Sequence, residues 1–275
     1  MNSPKEVAQN YIDLGASKAK QPADRMFVLA IFAGMYIALA AIGSVVASAT
    51  LTSGSMQKFV AGLVFPTGLA MVLIAGSELF TGNCMLFIPV LEKKIKLTDM
   101  LRAWIIVWIG NLVGSLLVAV LVTYGGTLDL FSNAVAAASI KTAVAKTSLS
   151  FIDAVFRGIL CNVLVCLAVW MSFAAKDIGG KVAALYLPIM LFITSGYEHS
   201  VANMYYISAG LMAAKNPTYA AAATEAGVNL SKLSWGSMFT VNLLPVTLGN
   251  IIGGGILIGI GYWFVYLRGN SKKAK

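Results

Sequence analysis

The chain's only histidine, His199, stands in the run Ser195-Gly196-Tyr197-Glu198-His199-Ser200-Val201-Ala202-Asn203, inside an apolar stretch long enough to cross a bilayer. An ionisable side chain at membrane depth costs about 2.5 to 3.5 kcal/mol on insertion scales, so it faces a cavity, a partner or a permeation path. Glu198 stands beside it, and Glu78 lies in a comparable run, Gly76-Ser77-Glu78-Leu79-Phe80-Thr81-Gly82-Asn83. One histidine and two carboxylates suit acid and base work, metal binding, or the passing of a proton or hydrogen bond to a solute. Metal is the weakest of the three, because a site needs three or four ligands. Cys84, Cys161 and Cys166 add none, as they lack metal-type pair spacing. No metal and no cofactor is implied. The two glutamates read first as helix-end groups, since free backbone N–H groups at a helix break bind carboxylates, with Asn162 as a side-chain partner for one of them. What remains is a solute pathway. Thr81 is then the hydrogen-bond partner of His199, and Asn203, four residues on, projects from the same helix face.

Positioning those residues falls to membrane helices. The 275 residues are 59% hydrophobic and 11% charged, with a mean hydropathy of +0.82, far more apolar than a soluble domain. Six segments near 26–51, 59–90, 102–124, 152–175, 182–213 and 239–267 have roughly the 20-residue length a spanning helix needs. The period-two alternation of a membrane β-barrel is absent, so the class is an all-α membrane protein. The second and fifth segments are too long and too polar in the middle to be plain helices, and are expected to be broken around Glu78 and Glu198.

The net charge of +9 raises the question of nucleic acid. The basic residues answer it, because they fall at the ends of apolar runs and form no stripe interleaved with aromatics. Fourteen lie on one side of a six-span arrangement and five on the other, with Arg157 inside the fourth span. The positive-inside rule then places both termini in the cytoplasm, in the cytoplasmic (inner) membrane. The N-terminal residues do not follow the order of a cleavable signal, so the first span is expected to direct insertion itself.

Internal similarity organises the chain further. Phe32-Ala33-Gly34 resembles Phe156-Arg157-Gly158, and Gly110-Asn111-Leu112-Val113-Gly114 resembles Gly249-Asn250-Ile251-Ile252-Gly253. Three spans per unit make this an inverted 3+3 repeat, about 26–124 and 152–267, with the broken helices meeting near the midplane. The glycine pairs Gly110/Gly114, Gly249/Gly253 and Gly255/Gly259 read as close helix packing. Residues 1–25 carry a helix with Val7, Ala8, Tyr11, Ile12 and Leu14 near one face, expected on the membrane surface or against a neighbouring subunit, and 268–275 form a basic tail. Residues 26–267 are a single membrane domain.

With Gly196-Tyr197-Glu198-His199-Ser200-Val201-Ala202-Asn203-Met204-Tyr205 in one half and Glu78-Leu79-Phe80-Thr81-Gly82 in the other, the sequence resembles the formate-nitrite transporter family. The resemblance runs from the Ser3-Pro4-Lys5-Glu6-Val7 helix to Gly249-Asn250. It implies an aquaporin-like fold, a homopentamer with one pore per subunit, and passage of small monovalent anions such as formate, nitrite, hydrosulfide and lactate. It implies no enzyme. By this resemblance His199 is the central pore histidine, with Thr81 as its partner and Asn203 one turn on, while Glu198 and Asn162 form a supporting hydrogen bond. Leu79 and Phe192 match the apolar constrictions beside the histidine, Phe65 and Leu69 line the second constriction region, and Lys146 matches the lysine near the pore.

The physical logic stands beside the resemblance. A bare anion at an apolar constriction loses hydration that Leu and Phe cannot replace, whereas a neutral acid loses far less. Lys146, in the loop between the third and fourth spans, would draw anions to the mouth. His199 would then protonate or polarise them between the constrictions, as it is the side chain there that titrates near neutrality. An aquaporin-like neutral-solute channel is the first rival, although Asn-Pro-Ala pairs are missing and Asn216-Pro217 is followed by Thr218. An intramembrane enzyme built on Glu78, Glu198 and His199 is the second.

Overall fold

The computed structural model describes residues 1–269, so most of the basic tail drawn at 268–275 lies outside the described residues. Among the described residues the chain is helical with no strand, as expected where lipid offers no partner to unpaired backbone groups. The elements are α1 (Pro4–Ala19), α2 (Ala23–Ser48), α3 (Gly54–Gly76), α4 (Phe80–Leu91), α5 (Leu97–Tyr124), α6 (Ala134–Lys146), α7 (Phe151–Ala174), α8 (Ile178–Thr194), α9 (Ser200–Ala213), α10 (Pro217–Glu225) and α11 (Trp235–Tyr266). Five of these, α2, α3, α5, α7 and α11, are long and apolar enough to cross a membrane. The second and fifth apolar segments are each interrupted. Chain leaves helical geometry at Ser77–Leu79 between α3 and α4, and at Ser195–His199 between α8 and α9. Exposed Ile105 and Leu121 on α5, and Ile152 and Phe156 on α7, give these helices apolar outer faces fitted to lipid or to another subunit.

Small residues let the long helices touch backbone to backbone. A side chain on Gly110 would run into Ala30 and the Phe27 carbonyl, and one on Gly114 into the Ile31 carbonyl, which closes α2 on α5. Gly249 meets the Val155 carbonyl and Gly158 in the same way, and Gly253 meets the Ile159 carbonyl, which closes α7 on α11. Van der Waals packing of this kind is the main attraction between helices in lipid. The contacts also correct a register. Ala30, not Gly34, stands where Gly158 stands in the other half, one helical turn from the alignment the Phe-x-Gly triplets suggest. Residue identity drew the triplets together, but the partner glycines set the contact.

The apolar face of α1 packs on its own chain. Ser3 and Glu6 cap it reciprocally, the Ser3 N–H donating to the Glu6 carboxylate at 2.7 Å. That bond holds the Glu6 carboxyl below the usual carboxylate range. Val7, Ala8, Tyr11 and Ile12 are buried in the same chain, with the Tyr11 ring against Trp170 and Phe173 at 6.4 and 6.0 Å. Asn2 ties the start of α1 to the end of α7, its N–H donating to the Ala174 carbonyl at 2.8 Å. An apolar helix face can be buried by any apolar surface, and here the floor of its own bundle supplies it.

Candidate functional site

The two breaks are built alike. Each begins at a glycine in the left-handed region, Gly76 at φ 85° and Gly196 at φ 70°, where a side chain would be strained. Glu78 N–H then donates to the Leu29 carbonyl and Glu198 N–H to the Arg157 carbonyl, both at 3.2 Å. The next helices start with backbone N–H groups that a buried asparagine receives. Asn111 Oδ1 accepts from Phe80 N–H at 2.9 Å while its amide donates to the Ala30 and Glu78 carbonyls. Asn250 Oδ1 accepts from Ser200 N–H at 2.9 Å while its amide donates to the Gly158 and Glu198 carbonyls. Irregular backbone survives at this depth because each of these groups has a partner.

Contrary to the expectation from the sequence, the carboxylates are held by side chains and not by backbone N–H groups. Glu78 accepts from Lys18 at 2.9 Å and from Asn83 at 2.8 Å. Glu198 accepts from Lys146 through both oxygens at 3.1 Å, and from the amides of Asn203 and Asn242. Lys146 is not a loop lysine but the last residue of α6, its charge directed at Glu198. Two further sequence expectations change with this. Asn203 does not share a face with the histidine, because His199 is the cap of α9 and the Asn203 amide turns to Glu198 and Asn242. Asn162 bonds neither glutamate; it donates to the carbonyls of Thr81 at 3.1 Å and Asn250 at 2.7 Å. Lys18, Asn83 and Asn242 belong to these clusters, and Lys18 and Asn242 carry no local mark in the sequence. The repeated Glu-to-Asn spacing, Glu78 to Asn83 and Glu198 to Asn203, was the available signal.

Between the clusters lies His199. Its Nδ1 accepts the Ala202 N–H at 3.0 Å, which assigns the ring proton to Nε2 in the neutral ring. Nε2 lies 3.0 Å from Thr81 Oγ1, so the imidazole donates to the hydroxyl and leaves the hydroxyl proton for another acceptor. Phe192 stacks on the imidazole with ring centroids 5.9 Å apart, and Phe65 meets Phe192 edge-on at 5.5 Å. On the other side Leu69 and Leu79 line one cavity together with Tyr11, Lys18 and Asn83. Phe65 thus stands against Phe192, and Leu69 and Leu79 share the lining of that cavity. All four are buried, as are His199 and Thr81.

Two half-helices ending at a buried histidine and hydroxyl pair, with Phe65, Phe192, Leu69 and Leu79 buried around it, in a chain with five helices long and apolar enough to cross a membrane, fit a membrane channel or transporter. The comparisons agree. The family model described as "Formate/nitrite transporter" matches residues 5–264, and the chain belongs to that family. It is 36% identical over 274 residues to "Formate channel FocA" of Escherichia coli (strain K12), covering 98% of this chain and 95% of that one. It is 37% identical over 285 residues to "Probable formate transporter" of Methanothermobacter thermautotrophicus, covering 97% of each. Among solved structures it is similar to an "FNT family ion channel", with a TM-score of 0.81 and 33% identity over 94% of this chain and 98% of that chain. It is also similar to a "Pentameric formate channel with formate bound", with a TM-score of 0.79 and 33% identity over 90% and 98%. These relatives are channels and transporters, not enzymes.

Proposed function

We propose that the chain is a pore for small monovalent weak-acid anions, formate first, with nitrite and hydrosulfide of the same class. The His199–Thr81 pair at 3.0 Å between two apolar constrictions is the observation that carries this reading. An anion entering the Leu69–Leu79 or Phe65–Phe192 constriction gives up hydration that these side chains cannot return. Desolvation raises the pKa of a weak acid, so formate takes a proton from the adjoining water more readily there than in bulk solution, whereas chloride, the anion of a strong acid, stays charged. Thr81 meets the solute between the constrictions with a hydroxyl already polarised by His199, and the Ala202 N–H stands behind the ring. Hydrogen bonds in such a chain strengthen one another. Because Nδ1 is committed to the backbone, His199 works by lending a hydrogen bond through Thr81 more readily than by surrendering its ring proton.

The same reading extends to assembly and orientation. Each subunit is an inverted 3+3 repeat of six spans with its own pore, five subunits form a homopentamer, and both termini face the cytoplasm across the inner membrane. Recurrence of the Asn111 and Asn250 bonds, and of the Lys18–Glu78 and Lys146–Glu198 pairs, supports the repeat. The distribution of basic residues supports the orientation. Parallel flux of formate, nitrite, hydrosulfide, lactate and chloride into proteoliposomes tests the reading. Weak-acid anions are expected to pass well ahead of chloride; equal passage of chloride would overturn the neutralisation step, and osmotic water flux without anion flux would restore the neutral-solute channel.

A further inference from the structure

The carbonyls of Thr81 and Val201 hold equivalent places, each three residues past the glutamate of its break. Both are met by side chains of the long helices, but the two sets of side chains are not alike. Ser115 Oγ on α5 lies 3.5 Å from the Val201 carbonyl, long for a hydroxyl, and is shared with the Gly34 carbonyl at the same distance. The Thr81 carbonyl accepts from the Asn162 amide on α7 at 3.1 Å and also from the Cys166 thiol, one turn on, at 3.4 Å. Sulfur is larger than oxygen, so that second distance is a close one.

Laying one half on the other shows where the difference arises. Ala30 on α2 stands where Gly158 stands on α7. Four residues on, Gly34 takes the place of Asn162, and four further Ala38 takes the place of Cys166. On the facing helices Ser115 follows Asn111 by four residues and Gly254 follows Asn250 by four. Donor and glycine have therefore changed places between the halves, Gly34 with Ser115 and Asn162 with Gly254. A Cβ on Gly254 would stand 2.3 Å from the Asn162 amide nitrogen and 2.6 Å from Cys166 Sγ, so bare backbone there admits both α7 side chains. Gly254 also lies where α11 widens to π-helical geometry, Ile251–Ile260, a departure that its counterpart α5 does not make. The thiol, the amide and the glycine that admits them all stand behind the half that carries the pore hydroxyl.

We propose that Cys166 is a positioning residue of the pore: with Asn162 it fixes the Thr81 peptide, and so the point from which the Thr81 hydroxyl meets His199 and the solute. The inference rests on the reading of the chain as an anion pore. A carbonyl held by one donor can swing about that bond, whereas two donors on successive turns of one helix fix its direction. Thr81, Asn162 and Cys166 are all buried, so protein groups and not bulk water hold this carbonyl. Thr81 opens a half-helix, and a tilt of its peptide moves the hydroxyl away from His199 Nε2, now 3.0 Å away.

The experiment measures formate influx into proteoliposomes for the wild type, Cys166→Ser and Cys166→Ala, each alone and combined with Thr81→Val. Cys166→Ala is expected to lower flux about threefold, and Cys166→Ser, which keeps a donor, to stay within about twofold of the wild type. In the Thr81→Val background Cys166→Ala is expected to cost no further flux, because no hydroxyl is left to aim and residues that act as one unit are not additive. The S–H stretching band of Cys166, isolated as the infrared difference between the wild type and Cys166→Ser, is expected below the frequency of a free thiol. Wild-type flux in Cys166→Ala, the same fractional loss in both backgrounds, equal loss in Cys166→Ser and Cys166→Ala, or a free-thiol frequency overturns the inference while leaving the anion pore intact. A wild-type protein that passes no formate overturns both.

Discussion

Asn162 donates to the Thr81 carbonyl at 3.1 Å, so the residue that presents a hydroxyl to His199 is anchored by a side chain from the other half of the chain. The same amide donates to the Asn250 carbonyl at 2.7 Å, which joins the first break to the helix that supports the second. Asn162→Leu removes both donors from buried carbonyls. It is expected to destabilise the fold by roughly 1 to 3 kcal/mol, read as a lower unfolding midpoint in detergent, and to lower formate flux by loosening Thr81.

Lys146 and Glu198 form a pair that is mostly buried, with side-chain exposures of 14% and 6%. Lys146→Met strands the Glu198 carboxylate and is expected to cost about 3 to 5 kcal/mol, whereas the double variant Lys146→Met with Glu198→Gln is expected to recover most of that loss. Thermal unfolding of the three proteins checks it; equal stability of the single variant and the wild type would remove the pair from the account.

Asn111 and Asn250 receive the first N–H of α4 and α9 at 2.9 Å each. Asn111→Ala and Asn250→Ala are expected to destabilise by similar amounts, roughly 1 to 3 kcal/mol. A large effect at one position and none at the other would show that the two breaks are not held in the same way.

These clusters show what a sequence can and cannot announce. The all-helical membrane class and the places of both breaks were legible, because apolar length, a mid-segment glycine and a buried glutamate leave a local mark at Gly76 and Gly196. The distant partners of the glutamates left none: Lys18 and Asn242 reach Glu78 and Glu198 from elements far along the chain. Lys146 read as a loop residue because the alanine-rich α6 lacks the apolar density of a span. Asn203 was placed with His199 by helical spacing that holds only inside a helix, and His199 is its cap. The Phe-x-Gly triplets misplaced the first span by one turn, since backbone contacts at Gly110 and Gly249 decide the register.

Thr81→Val keeps the shape of the side chain while removing the hydroxyl that His199 donates to. Formate flux is expected to fall about tenfold, the equivalent of one hydrogen bond worth roughly 1.4 kcal/mol, with little change in folding yield. Stopped-flow flux into proteoliposomes measures it, and wild-type flux in this variant would separate the hydroxyl from the solute.

In the proposed pore His199 acts on the permeating anion through its Nε2–H. Replacement by Phe preserves a ring beside Phe192 and removes Nε2–H. Formate influx into liposomes, followed across pH for the wild type and His199→Phe, measures that action. A fall of about tenfold or more with an altered pH profile is predicted; flux and pH dependence identical to the wild type would contradict it.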